Sequence, residues 1–255
     1  MTTKVLAILQ ARMSSRRLPG KVLKPIMGEP MLARQIERLR RAKTIDRLVV
    51  ATSNDPSDDA IAALCAKLGA DCFRGSLDNV LDRFCKAAEL YQPEQVVRLT
   101  GDCPLADPEV IDAVVRFHLD GGYDYSSNTL HPTFPDGLDV EICRTACLAE
   151  AGREAGSPFQ REHVTPFLYQ QPGRYRLGDF RRSPDLSALR WTVDNAEDFD
   201  LVCRIYAALY PSRPDFALDD IRVLFENNPD LVKINAGYRR NEGSAEPSAK
   251  DPRGS

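Results

Sequence analysis

The densest run of chemistry in the chain is Leu9-Gln10-Ala11-Arg12-Met13-Ser14-Ser15-Arg16-Arg17-Leu18-Pro19-Gly20-Lys21. Four cations and two serines follow directly on the apolar run Val5-Leu6-Ala7-Ile8-Leu9. A triphosphate needs cations, hydroxyls and backbone N–H donors converging from one loop, and this segment supplies all three. Pro19 restricts the loop, and Gly20 allows close backbone approach. The segment fits neither G-x-G-x-x-G nor G-x-x-x-x-G-K-[ST], which disfavours a dinucleotide fingerprint or a P-loop. A solvated basic turn is the plain alternative.

Two aspartates lie far downstream. Asp102, in Thr100-Gly101-Asp102-Cys103-Pro104-Leu105, follows a second apolar run. Its carboxylate suits a Mg2+ ligand or the cap of the next helix. Asp194, in Trp191-Thr192-Val193-Asp194-Asn195, stands at a strand end, at or near a helix N-cap. Glu197 reads as a helix-start residue. Mg2+ takes hard oxygen ligands and shares its shell between one or two carboxylates and substrate phosphates. No His/Cys spacing typical of zinc occurs.

These residues need elements to position them. Runs at Val5–Leu9, Leu48–Thr52, Asp71–Phe73 and Gln95–Thr100 read as strands. Between them lie amphipathic helices, from Pro30 to about Ala42, near Ser57–Leu68, from about Asn79, and from Pro108 to about Leu119. This alternation predicts a three-layer α/β fold with a mostly parallel sheet. Ligands of such sheets bind where the strands end. Candidates by position are therefore Thr52 and Ser53 after the second strand, and Arg74, Gly75 and Ser76 after the third. Turn chemistry and capping remain open for Ser53 and Asp78.

The pattern changes after Gly121. Strands at Tyr123–Asn128, Leu138–Cys143 and Arg174–Phe180 and a helix over Pro158–Tyr169, bent by Pro166, form an arm or insertion over about 123–185. Arg190–Val193 returns to the sheet, followed by helices near Ala196–Leu209 and Leu218–Asn227. The expected organisation is one domain over 1–238 and a disordered polar tail over 239–255.

The order of residues in the first loop resembles the cytidylyltransferase family, which includes the synthetases of CMP-sialic acid and CMP-3-deoxy-octulosonate. The match is nearest to the spore-coat polysaccharide SpsF-like branch, whose opening signature is Q-A-R-x-x-S-x-R-L-P-G-K-V-L. Thr100–Leu105 is similar to the family's G-D-x-P-L, with Cys103 where Glu is common, and Val193–Asp198 to its V-D-x-x-E-D. Ser127-Asn128-Thr129, Pro135–Glu141 and Arg161–Thr165 resemble further SpsF-like segments. The resemblance covers about residues 4–235. It implies a Rossmann-like fold of the nucleotide-diphospho-sugar transferase type with a dimerisation arm, and a homodimer. It implies CTP as donor and an acidic sugar-like acceptor, in surface polysaccharide synthesis. Arg12, Arg17 and Lys21 would contact phosphates, with Leu9, Gln10, Ala11, Ser15 and Thr100 lining the nucleotide. Asp102 and Asp194 would hold Mg2+. Asn128, Asp139, Glu141 and Arg161 are the acceptor-side candidates, and His163 reads as structural.

Composition agrees. A formal charge of −3 gives no pull toward nucleic acid or an anionic membrane. The odd set of seven cysteines, no signal peptide and no apolar run of membrane length suit a reducing cytoplasm. Three other readings stay open: transfer of another nucleotide, a GT-A-like glycosyltransferase, and a non-catalytic nucleotide binder. The one Asp-x-Asp, Asp198-Phe199-Asp200, falls in a helical pattern, against the second.

Overall fold

The computed structural model describes residues 4–240. The polar tail expected from 239 therefore lies, beyond Arg240, outside the described residues. Strand β1 (Val5–Gln10) is the central strand. Its odd-numbered residues Val5, Ala7 and Leu9 enter one apolar cluster, while Leu6 and Ile8 enter the other. That split is what a strand covered on both faces requires, because successive side chains point to opposite sides.

A short hairpin, β2 (Pro25–Ile26) and β3 (Glu29–Pro30), leads into helix α1 (Met31–Leu39). Then come β4 (Arg47–Ser53), α2 (Asp59–Leu68), β5 (Asp71–Gly75), α3 (Val80–Tyr91), β6 (Gln95–Thr100) and α4 (Pro108–Gly121). Strands β5, β4, β1 and β6 run parallel in that spatial order. All four therefore end at one edge. Helices α1, α2 and α4 cover one face and α3 the other, giving the three layers the periodicity predicts.

The stretch read as an arm is integral to this sheet. β7 (Tyr125–Ser127), β8 (Glu141–Arg144) and β9 (Leu177–Asp179) extend it to seven strands in the order β5-β4-β1-β6-β8-β7-β9. β8 alone runs antiparallel to its neighbours. Helix α5 (Thr145–Glu154) follows β8. The expected Pro158–Tyr169 helix is two: α6 (Pro158–His163) and α7 (Pro166–Tyr169). Between them Val164 sits at φ +71°, a left-handed conformation that a β-branched residue rarely adopts. The break turns Thr165 inward, where its hydroxyl donates to Glu141.

Arg190–Val193 does not form a full strand. It makes a single bridge, Arg190 with Asp136: the Trp191 and Thr192 amides both go to the Asp136 carbonyl, and the Val193 amide then turns to that of Asp102. Helices α8 (Ala196–Leu209) and α9 (Leu218–Asn227) complete the first layer. The Asp198-Phe199-Asp200 triplet lies within α8. All seven cysteines are free thiols, buried or half-buried. Among the described residues no helix is long and apolar enough to cross a membrane.

Candidate active site

The loop after β1 is fixed by its neighbours. Ala11 N–H donates to the Ala51 carbonyl at 3.1 Å, and Gly101 N–H to the Gln10 carbonyl at 2.7 Å. A Cβ on Gly101 would lie 3.0 Å from both the Gln10 oxygen and the Ala11 Cβ, so a side chain there would push these strand ends apart by a few tenths of an ångström. Met13 N–H donates to Asp58 at 2.7 Å, and the same buried carboxylate takes the Ser53 N–H and hydroxyl. Further along, Gly20 is left-handed at φ +68° and donates back to Met13, which turns Lys21 under the loop.

Lys21 is 7% exposed. Its Nζ donates to the Val193 carbonyl at 2.7 Å, to Asp194 at 2.9 Å and to Asp102 at 3.3 Å. Burial alone would pull its pKa down, but the two carboxylates outweigh burial and hold it above the ordinary lysine value. Asp102 shows the converse. Burial pushes its carboxyl up, yet Lys21 and hydrogen bonds bring it down to about 2. Lys21 and Asp102 are therefore both charged at neutral pH. Asp194 also forms an ion pair with Arg17 at 2.8 Å and accepts from Arg190 at 3.0 Å. Arg12 reaches across to Glu162 of α6 at 3.5 Å, with both side chains about half exposed.

Asp102 and Asp194, 92 positions apart in the numbering, are stitched together by backbone. The Asp102 carbonyl accepts from Val193 N–H at 2.8 Å and from the Thr192 hydroxyl at 3.2 Å. Asp194 does not cap α8. Asn195 is the N-cap, and Asp198, rather than Glu197, receives the Asp194 and Asn195 amides. That leaves the Asp194 carboxylate for the cations. Two carboxylates that reach one ammonium can reach one metal ion, and their hard oxygens suit Mg2+.

The other predicted residues divide into site and support. Thr100 faces the Cys103 thiol at 3.3 Å and hydrogen-bonds the Asp102 carboxylate. Ser15 accepts from Leu18 N–H inside the loop. Leu9 is fully buried in the core, so only its backbone can face a ligand. Thr52 and Ser53 are fully buried; Ser53 braces the loop through Asp58. Arg74 is held by the Ser53 and Asp55 carbonyls and Asp59. Gly75 packs under Arg83, and Ser76 caps toward α3 through Asn79 N–H.

On the acceptor side, Asn128 is fully buried and its amide reads the backbone of Leu138 and Val140. Glu141 takes Arg98, Tyr125 and Thr165. Both hold the wall, which leaves them poor candidates for direct contact. Asp139 pairs with Arg240. Arg161 sits on α6, and no side-chain bond ties it to the residues above. His163 is half-buried against Phe159, with its pKa lowered by burial and by Arg98.

Three arginines of the site escape a reading by motif. Arg98, on β6, joins Gln10 of the loop (3.2 Å) to Glu141. Arg190 binds Asp136, Asp194 and Asp198. Arg240 reaches Asp139 and the Phe134 carbonyl. For Arg98 and Arg190 a signal existed: each is a cation inside or beside an apolar run, where only a paired charge is stable.

A parallel sheet whose strand ends carry a cation-rich loop over two joined aspartates defines a nucleotidyltransferase type of α/β protein. The chain belongs to the cytidylyltransferase family, whose model matches residues 6–236. It is 37% identical over 236 residues to the spore coat polysaccharide biosynthesis protein SpsF of Bacillus subtilis, covering 89% of this chain and 96% of that one. It is 38% identical over 245 residues to a 3-deoxy-manno-octulosonate cytidylyltransferase of Anaeromyxobacter dehalogenans, covering 92% and 90%. Among solved structures, a cytidylyltransferase from Leptospira borgpetersenii superposes with a TM-score of 0.86 at 31% identity, over 90% of this chain and 97% of that one. A CMP:2-keto-3-deoxy-manno-octonic acid synthetase complexed with CTP has a TM-score of 0.62 at 19% identity, over 81% and 99%, and shares the fold.

Proposed function

We propose that the protein transfers CMP from CTP to an acidic, sugar-like acceptor, with release of pyrophosphate, in the synthesis of a surface glycan precursor. The observation that carries this reading is Lys21, buried between Asp102 and Asp194 beneath a loop bearing Arg12 and Arg17. The acceptor class rests on the octulosonate relatives.

An acceptor hydroxyl oxygen bonds to the α-phosphorus, the bond to the β-phosphate bridging oxygen breaks, and the hydroxyl proton passes to solvent. Little covalent work falls to the protein. Its part is to position the groups and to stabilise charge on phosphate oxygens. Arg12 and Arg17 sit at the loop rim and neutralise the outer phosphates. Lys21, pinned at three points, presents a fixed charge to the reacting phosphate. Gln10, Ala11 and the ends of β4, β5 and β6 line the nucleoside. Mg2+, held by Asp102 and Asp194, would supply charge neutralisation on the triphosphate and acidify the acceptor hydroxyl.

Pyrophosphate release from CTP, UTP, GTP and ATP, measured with Mg2+ and a panel of acidic sugars, tests the donor and acceptor together. CTP with a 2-keto sugar acid should give the fastest release. Equal release from all four nucleotides sinks the donor assignment. Asp102→Asn should remain folded by circular dichroism and lose its response to a Mg2+ titration. An unchanged Mg2+ titration removes Asp102 from the metal.

A further inference from the structure

Four carboxylates and four cations pair off at and beside the candidate site. Asp102 and Asp194 face Lys21, and Asp194 also meets Arg17. Asp136 is bound by Arg190. Asp139 is met by Arg240. The first three cations come from the loop after β1 and from the turn before α8. The fourth comes from the segment that follows α9.

Arg240 does not behave as the start of a disordered tail. Its side chain is only 16% exposed, and it forks between the Asp139 carboxylate and the Phe134 carbonyl, the latter at 3.2 Å. The approach is held all along. Asn235 donates to the Arg190 carbonyl at 3.0 Å and to Asp198 at 2.8 Å. Tyr238 donates to Glu197 at 2.9 Å and lies against the Arg190 guanidinium. The Arg239 carbonyl accepts from Arg190 at 3.4 Å. This strap, residues 235–240, therefore lies over the same arginine that holds Asp194 and Asp136. Asp139 is a half-buried carboxylate whose bonded partner is Arg240. Burial, with repulsion from Asp136 and Glu141, pushes it up to about 7 despite that cation. Without Arg240 its ionised form would lose its principal support.

We propose that Arg240 is a positioning residue of the acceptor side: it holds Asp139 and the Phe134–Asp139 wall in place, so that the C-terminal strap is part of the site and sets acceptor use without touching the nucleotide. The proposal rests on the transferase reading above and adds to it a residue outside the sequence motifs. Phe134 to Asp139 is also the segment that Gly137 threads against Trp191 and Thr192, next to Asp102 and Asp194 in the fold.

Two measurements on the full chain test it. The first needs no acceptor. Trypsin must take an arginine side chain into its own pocket, and Arg240 engaged with Asp139 is not available. Timed digestion with mass spectrometry should show slow cleavage after Arg239 and Arg240 in the wild type. Cleavage in Asp139→Asn should be about tenfold faster, as proteolysis follows the open population. Equal rates overturn the strap. The second uses 3-deoxy-manno-octulosonate as acceptor probe and reads pyrophosphate. Arg240→Ala should raise the acceptor KM by about 10-fold to 100-fold, the usual cost of removing a supporting partner, with the KM for CTP unchanged. Arg240→Lys should recover part of the loss. A CTP KM that rises in step overturns the assignment to the acceptor side. A wild type that binds CTP but is inert on the probe sinks the acceptor class beneath the proposal, and the digestion then decides the strap alone.

Discussion

At the scale of single residues, the site is a problem of charge placed where water is scarce. A lysine at 7% exposure is costly unless its ammonium is fully engaged, and Lys21 is engaged by three oxygens. Its three N–H bonds are all spent on protein oxygens, and a metal ion taken by the two carboxylates would free two of them for a phosphate. Lys21→Ala should therefore lower turnover by about 10²–10³, the usual loss for one preorganised donor. It should also leave Asp102 and Asp194 facing each other without their shared cation, so the variant should bind CTP more weakly at low Mg2+. Near-normal pyrophosphate release from purified Lys21→Ala would remove the lysine from the chemistry. Cys103 shows how a departure from a family pattern is absorbed. Where the resemblance leads one to expect a carboxylate, its buried thiol sits 3.5 Å from Asp102. Burial, the Asp102 charge and other nearby carboxylates raise its pKa well above the ordinary thiol value. The thiol stays neutral and adds no repulsion to Asp102 and Asp194.

At the scale of elements, the turns matter more than the strands. Gly137 sits at φ +108°, and a Cβ there would fall 2.5 Å from the Thr192 nitrogen and 2.6 Å from the Trp191 carbonyl carbon. Both obstacles are backbone, so neither can swing aside. Gly137→Ala should cost at least about 2 kcal/mol, combining left-handed strain with the clash. Urea titration should show the loss as a lower midpoint with the slope unchanged. A midpoint within error of wild type would mean that this crossing is not tight. A second junction ties α4 to β6 and β7. His118, 1% exposed, meets the Ser126 hydroxyl at 2.9 Å and the Gln95 side-chain carbonyl at 3.1 Å. The Gln95 oxygen can only accept, so Nε2 carries the proton and Nδ1 accepts from Ser126. Burial, helped by Arg144, lowers the imidazole pKa to about 4. Above about pH 6.5 both folded and unfolded forms are neutral here, and the group has no effect. Below it the unfolded chain binds a proton that the fold refuses, so stability falls progressively down to about pH 4, by on the order of 3 kcal/mol. His118→Gln should flatten that stretch of the stability-versus-pH curve. If wild type and variant lose stability in parallel from pH 6.5 to 4, His118 is not the cause.

At the scale of the whole molecule, what was legible in the sequence and what was not separate by range. Val5–Leu9 and Gln95–Thr100 announce buried strands because their neighbours in sequence are enough to show it. The loop from Leu9 to Lys21 announces anion chemistry for the same reason. Asn128 and Glu141 look like ligand contacts in a motif, yet both are consumed by partners that only the folded chain supplies. Ser53 is taken by Asp58 and Arg74 by Asp59 and two carbonyls, again contacts that no periodicity displays. Arg240 lies in a stretch whose composition reads as tail, and its partner is 101 positions away. On the proposed reading the site draws on the loop after β1, the ends of β4, β5 and β6, the 134–141 wall, the turn before α8 and the strap. A ligand that bridges the first four of these should stabilise the global fold and not one lobe. With free CTP at 100 times its Kd the gain is about 2.7 kcal/mol. For a chain of this size that corresponds to a rise in Tm of roughly 5–10 °C. Differential scanning calorimetry with CTP and Mg2+ should show one transition moving intact. ATP at the same concentration should move it much less if the ends of β4 and β5 read the base. Equal shifts would mean that the protein grips only the triphosphate. Two transitions, of which CTP moves one, would mean that the sheet does not unfold as a unit.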